Sequence, residues 1–102
     1  ASPIDGYTAL QAINEIRERS NARQLTNIDK DVILDEWARE FYFEGRRRTD
    51  LIRYGYFTGS SYNWDWKGGV PNGTALPSYL NIMPIPADDL NANDNLKQNP
   101  GY

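Results

Sequence analysis

The sequence predicts a mainly α fold: a helical hairpin with a kinked second helix, followed by a long, ordered but irregular tail. Three observations carry this. Apolar residues recur at helical spacing in two stretches before Gly45. Gly45 then interrupts the second, stronger stretch. After Gly55, glycine, proline and asparagine crowd the chain, yet aromatic rings lie thickly among them. Residues 1–55 therefore read as the helical part and 56–102 as a loop-rich tail of a single 102-residue domain.

The first helix reads from a start at Ser2-Pro3-Ile4-Asp5, where Ser caps and Pro takes the first helical position. Ala9, Leu10, Ile13 and Ile16 form one stripe, and the helix is expected to run to about Asn21. Ala22 to Ile28 reads as a connection short enough for an antiparallel pair. The second helix reads from about Asp29 to Glu44, with Thr26, Asn27 or Asp29 as cap. Its apolar residues (Val32, Ile33, Leu34, Trp37, Ala38, Phe41, Tyr42 and Phe43) cover more than half the circumference, so it should be contacted from more than one side. Gly45 ends or kinks it, and Arg46 to Tyr54 reads as a further short helix stopping at Gly55. In the tail, Asn81 to Pro86 reads as stiff and extended. Ala87 to Leu90 reads as one helical turn, and Asn91 to Tyr102 as turns clamped by Leu96 and Tyr102.

Composition removes several chemistries. There is no cysteine, hence no disulfide or thiolate site, and no histidine, the commonest general base and transition-metal ligand. A net charge of −3 does not suit a general nucleic-acid binder. No cofactor is implied, and no signal peptide or membrane span is evident.

Two clusters invite a functional reading. Glu36, Glu40 and Glu44 stack four apart on the second helix, with Arg39, Arg47, Asp50 and Arg53 close by in sequence. They read either as a mutually neutralising ion-pair network, which Arg17 of the first helix could join, or as an acid pair for hydrolysis. The network is preferred, because acids side by side on one helix among arginines do not face each other across a cleft. Arg46-Arg47-Arg48 reads as one arginine turned inward and two solvated, in preference to a phosphate patch. Tyr62, Trp64 and Trp66 alternate, so their rings would share one face of an extended strand. They read either as a stacking platform for sugar rings or as a cover for the second helix.

The pattern Glu36-x-x-Arg39-Glu40, then Phe43-Glu44-Gly45-x-Arg47-x-x-Asp50-Leu51-x-Arg53-x-Gly55, resembles the C-terminal signature of the SusD/RagB family. So does the ending Pro84-Ile85-Pro86-x-x-Asp89-Leu90, followed by Asn93-x-Asn95-Leu96-x-Gln98-Asn99-Pro100-Gly101-Tyr102. Trp64-x-Trp66-Lys67-Gly68-Gly69 is similar to Bacteroidetes members, and Ala12-Ile13-Asn14-x-Ile16-Arg17-x-Arg19 to the helix upstream. Asp94 stands where the family usually has Pro, and Tyr54 where it often has Trp.

The resemblance implies a tetratricopeptide-related helical fold with long irregular insertions. It implies a non-catalytic outer-membrane lipoprotein, exposed on the cell surface, that captures oligo- or polysaccharide. The implied partner is a TonB-dependent transporter, and membrane attachment would come only from an N-terminal lipid anchor absent from this stretch. On that reading the chain is the C-terminal scaffold of a longer protein. The ion-pair residues are then structural, and Tyr62, Trp64 and Trp66 are the sugar-stacking candidates. A helical module docking a protein partner through the aromatic loop is the alternative.

Overall fold

A computed structural model describes residues 6–102. It holds four α-helices: α1 (Ala9–Arg19), α2 (Lys30–Glu40), α3 (Arg47–Tyr54) and α4 (Ala87–Ala92). Two 3-10 turns, Lys67–Gly69 and Ser78–Asn81, punctuate the tail. Among the described residues there is no strand, only an isolated antiparallel bridge between Gly59 and Leu76. No helix among them is long and apolar enough to cross a membrane. Chain contacts divide the molecule into two compact units, 1–47 and 48–102.

In the first unit, α1 begins with a reciprocal cap. The Thr8 hydroxyl accepts from the Gln11 amide at 3.1 Å, and the Gln11 side chain accepts from the Thr8 amide at 2.7 Å. The expected start at Ser2-Pro3-Ile4-Asp5 lies outside the described residues, and Thr8 has an extended backbone that excludes it from this helix. At the other end Asn21 turns left-handed (φ +54). Its amide bonds to the Glu18 carbonyl and that of Ala22 to the Arg17 carbonyl, closing the last turn. The link that follows is fastened back on α1 by Asn14, whose amide group exchanges two hydrogen bonds with the backbone of Leu25, at 2.7 and 2.9 Å. Arg17 adds a bond from Nε to the Arg23 carbonyl.

Asp29 caps α2 by accepting from the Val32 amide at 2.9 Å. The helix ends at Glu40, four residues before the expected Glu44. The Phe41 amide still reaches the Trp37 carbonyl, but the Glu44 amide turns to the Phe41 carbonyl, and Phe43 enters the left-handed region at φ +61. Two causes act together. A run of three aromatic residues is a weak helix former. Beyond Gly45, the Arg46 guanidinium lies over the rings of Phe41 and Trp37, at 4.2 and 5.0 Å, drawing the chain back across the helix end. Gly45 has the expected positive φ, +74, but it serves the turn into α3 and does not itself terminate α2. Ile13 and Leu34 form the buried apolar centre of this unit.

The second unit has few helical residues and is held mainly by side chains that bond to backbone. Gln98 both donates to and accepts from the backbone of Ile85, at 3.0 and 2.9 Å, as a neighbouring strand would. Asn99 donates to the Met83 carbonyl at 2.8 Å, and the Tyr102 hydroxyl to that of Ile82 at 2.6 Å. The extended Ile82–Pro86 stretch thus gains partners without a sheet. Tyr102 meets Tyr79 edge-on at 4.9 Å.

Gly45 and Gly101 separate strain from crowding. A Cβ at Gly45 meets nothing within 4 Å, whereas at Gly101 (φ +98) it would lie 2.5 Å from the Tyr79 ring. Gly45→Val is expected to lose about 1–3 kcal/mol through backbone strain alone. Gly101→Ala should lose more and should also free the Tyr102 ring. Thermal melts with near-ultraviolet circular dichroism check this; an unchanged Tyr signal in Gly101→Ala contradicts it.

Candidate functional site

The first unit holds the acidic cluster. The Glu36 side chain is 8% exposed, and its Oε2 accepts from Arg17 at 2.6 Å and from Arg39 at 2.8 Å. Glu40 pairs with Arg19 at 2.5 Å, near the surface. Charged hydrogen bonds at these lengths are strong, and Glu36 has two cations against its one charge. Glu44, beyond the end of α2, is exposed and takes part in no ion pair among the described residues. The arginine triplet departs from expectation: all three members are half-buried. Arg46 covers Trp37 and Phe41, and Arg47 donates to the Leu34 carbonyl at 3.0 Å.

Arg48, in the second unit, covers Phe57 at 4.9 Å and donates to the Leu80 carbonyl at 2.6 Å. Asp50 is buried on α3, and Arg53 is exposed. Among the described residues no buried side-chain nitrogen or oxygen lacks a hydrogen-bond partner.

The second unit holds the aromatic loop. Its rings form a ladder: Tyr54 against Tyr56 at 6.0 Å, and Tyr56 stacked on Tyr62 at 4.9 Å. Tyr62 then leans on Trp64 at 6.3 Å, and Trp64 stacks on Phe57 at 6.2 Å. Tyr62 and Trp64 are half-buried in this ladder.

Trp66 stands outside it. It is 65% exposed and makes no ring contact among the described residues. The three rings do not share a face as they would on an extended strand, because Trp66 itself is left-handed (φ +66, ψ 9) and turns the chain. That conformation costs about 1–3 kcal/mol in a residue other than glycine.

Next to it sits Lys67, which the sequence named only within the motif Trp64-x-Trp66-Lys67-Gly68-Gly69 and gave no role of its own. It is 1% exposed. Its ammonium donates to the carbonyls of Tyr62 at 2.6 Å, Gly59 at 2.8 Å and Tyr56 at 3.4 Å, and lies 4.8 Å from the centre of the Trp64 ring. An ammonium has three N–H donors, and three carbonyls receive them. Burial pushes its pKa below the usual lysine value of 10.5. The Lys67 carbonyl accepts from the Thr74 amide at 3.0 Å, and the Trp66 amide donates to Pro71 at 3.2 Å. The only sequence signal for this was a lysine set between alternating aromatics and a glycine pair, which binary patterning reads as solvated.

Chemically, Glu36 and Glu40 of the first cluster are neutralised by arginines, and Glu44 stands outside that network. The second is a braced loop that presents one indole to solvent. Among the described residues no cluster of acids could hold a metal ion.

The sequence profile of the SusD family matches residues 3–102. The chain is 53% identical over 98 residues to the Starch-binding protein SusD of Bacteroides thetaiotaomicron, an alignment covering 95% of this chain and 18% of that protein. It is 33% identical over 106 residues to the SusD-like protein P25 of Formosa agariphila, covering 92% and 20% respectively. The chain thus spans about a fifth of the length of these curated relatives.

Lys67→Met strands buried carbonyls, each costing about 1–3 kcal/mol when unmet. A loss of about 2 kcal/mol is expected in chemical denaturation. The penalty for holding the charge is full below the folded pKa and gone above 10.5, where folded and unfolded lysines are both neutral. Stability of the wild-type chain relative to Lys67→Met should therefore rise as the pH climbs from the lowered folded pKa towards 10.5. A falling difference contradicts this sign.

Proposed function

Because this chain belongs to the SusD family, we propose that it serves a non-catalytic, glycan-binding protein of the cell outer membrane. That protein is a surface-exposed lipoprotein that hands oligo- or polysaccharide to a TonB-dependent transporter for nutrient uptake. A starch-type α-glucan is the favoured ligand class, since the relative at 53% identity is named as starch-binding. The observation within this chain that supports sugar contact is Trp66, an exposed indole on a hydrogen-bonded loop. The C–H face of a pyranose is apolar and lies flat on an indole; its hydroxyls stay in water.

Tyr62 and Trp64 back the loop through their ring contacts and are the weaker members of the proposed set. The non-catalytic reading rests on the acids. Retaining or inverting hydrolysis needs two carboxyl groups about 5–9.5 Å apart across a cleft, one of them able to donate a proton. Glu36 and Glu40 lie on one helix, each held by arginine.

A second reading, a module that docks a protein, is favoured by Tyr42 and Phe43. These rings are 74% and 92% exposed and meet edge-on at 4.7 Å. In that reading the transporter is the partner, and a pull-down that fails with Tyr42→Ser/Phe43→Ser but survives Trp66→Ala separates the two.

Calorimetric titration with maltoheptaose tests the leading proposal. Trp66→Ala should weaken binding about tenfold, equivalent to about 1.4 kcal/mol, with the melting temperature held within a few degrees. Wild-type binding that Trp66→Ala leaves unchanged removes the loop from the site. Release of reducing sugar that disappears in Glu40→Gln overturns the non-catalytic reading.

A further inference from the structure

Trp66 and Lys67 are adjacent, yet the indole is in solvent and the ammonium is buried. Transfer free energies favour the opposite arrangement, since indole leaves water readily and an ammonium does not. Side-chain hydrophobicity alone does not select this inversion. Every contact of the Lys67 ammonium faces one limb of the loop: the carbonyls of Tyr56, Gly59 and Tyr62 converge on it, and the Trp64 ring closes the side. The lysine backbone closes a local turn through its amide on the Trp64 carbonyl, and its own carbonyl accepts from Thr74 of the other limb. A convergent set of backbone carbonyls around a positive charge is the arrangement by which proteins also order loops around metal cations. Here the cation is covalently part of the loop.

We propose that Lys67 is the positioning residue of the Trp66 platform, an internal cation that gathers the 56–62 limb and so fixes Trp66 outward for a glycan ring. This rests on the sugar-contact reading above. It also implies that the carbonyl cage of Tyr56, Gly59 and Tyr62 is a latent site for a small alkylammonium ion once the side chain is removed. A lysine that merely filled space would be replaced by methionine with no effect on the neighbouring ring. A lysine that acts as the cation is replaced functionally only by another cation.

The test uses the full chain labelled with 5-fluorotryptophan, whose three indoles (Trp37, Trp64 and Trp66) give separate fluorine resonances assigned by single Trp→Phe variants. In Lys67→Met the helical circular dichroism should persist. The Trp66 resonance should move to the position of an unstructured indole, and maltoheptaose affinity should fall at least tenfold, with no further loss in Lys67→Met/Trp66→Ala. In Lys67→Ala, methylammonium should restore the Trp66 resonance in a saturable way, and sodium at the same ionic strength should not. A native Trp66 resonance in Lys67→Met, or a Lys67→Ala chain indifferent to methylammonium, overturns the proposal. If Lys67→Met also loses its helical signal, recovery of that signal in Lys67→Ala on adding methylammonium supports the cation role, and no recovery overturns it. Wild-type chain that ignores maltoheptaose defeats the sugar reading instead, while the fluorine and methylammonium results still judge the role of Lys67 in the loop.

Discussion

A buried ammonium with three carbonyls around it organises the half of this chain that has almost no regular structure. The segment from Tyr56 to Thr74 has no ladder of its own; one isolated bridge joins Gly59 to Leu76. Backbone acceptors left there without water would each be unfavourable. Lys67 gathers three of them at one point, and its own carbonyl ties the opposite limb through the Thr74 amide. The aromatic ladder then packs around a centre that is polar and satisfied, not oily. The C-terminal segment follows the same logic with neutral groups, where Gln98, Asn99 and Tyr102 supply the partners that a neighbouring strand would otherwise give to Ile82–Ile85.

The first unit also centres on a buried charge, of opposite sign. Glu36 sits beside the apolar centre of Ile13 and Leu34 in burial, and Arg17 of α1 and Arg39 of α2 both bind its Oε2. A buried carboxylate is unfavourable unless its charge and lone pairs are met, and a hydrophobe of the same shape often serves stability equally well. Its effect is therefore on specificity of pairing: one register brings Arg17 to Glu36 and Arg19 to Glu40. Charges used in this way have little freedom left for chemistry. That is why the proposed function draws on the aromatic loop and leaves the acids as architecture.

Much of this was legible in the residues. Helical spacing located the end of α1 and both ends of α3 to within about two residues, although α1 begins only after an extended Thr8. Gly55 marked the stop of α3, with the Tyr56 amide reaching the Leu51 carbonyl as in a closed last turn. The order of Glu, Arg, Gly and Asp along 36–55, with the Asn-Pro-Gly-Tyr ending, resembles the SusD family in the residues alone. The end of α2 was missed, because periodicity does not register a guanidinium folding back over Phe41. The half-burial of all three arginines was missed for a similar reason: their partners are rings and carbonyls that only the folded chain brings close, and net charge carries no information about them.

The sequence by itself determined the helical class, the family and the clustering of acids with arginines, because spacing and composition are local quantities read along the chain. The tertiary structure alone decided which of three alternating rings faces water. Alternation assigns faces only when the backbone is extended, and a left-handed Trp66 breaks that rule. It alone decided that Lys67 is inside and Trp66 outside, against the preference of each side chain taken singly. The reason is that three carbonyls from residues 56, 59 and 62 converge on one point only after the loop has closed, and no pairwise pattern in the sequence encodes that convergence.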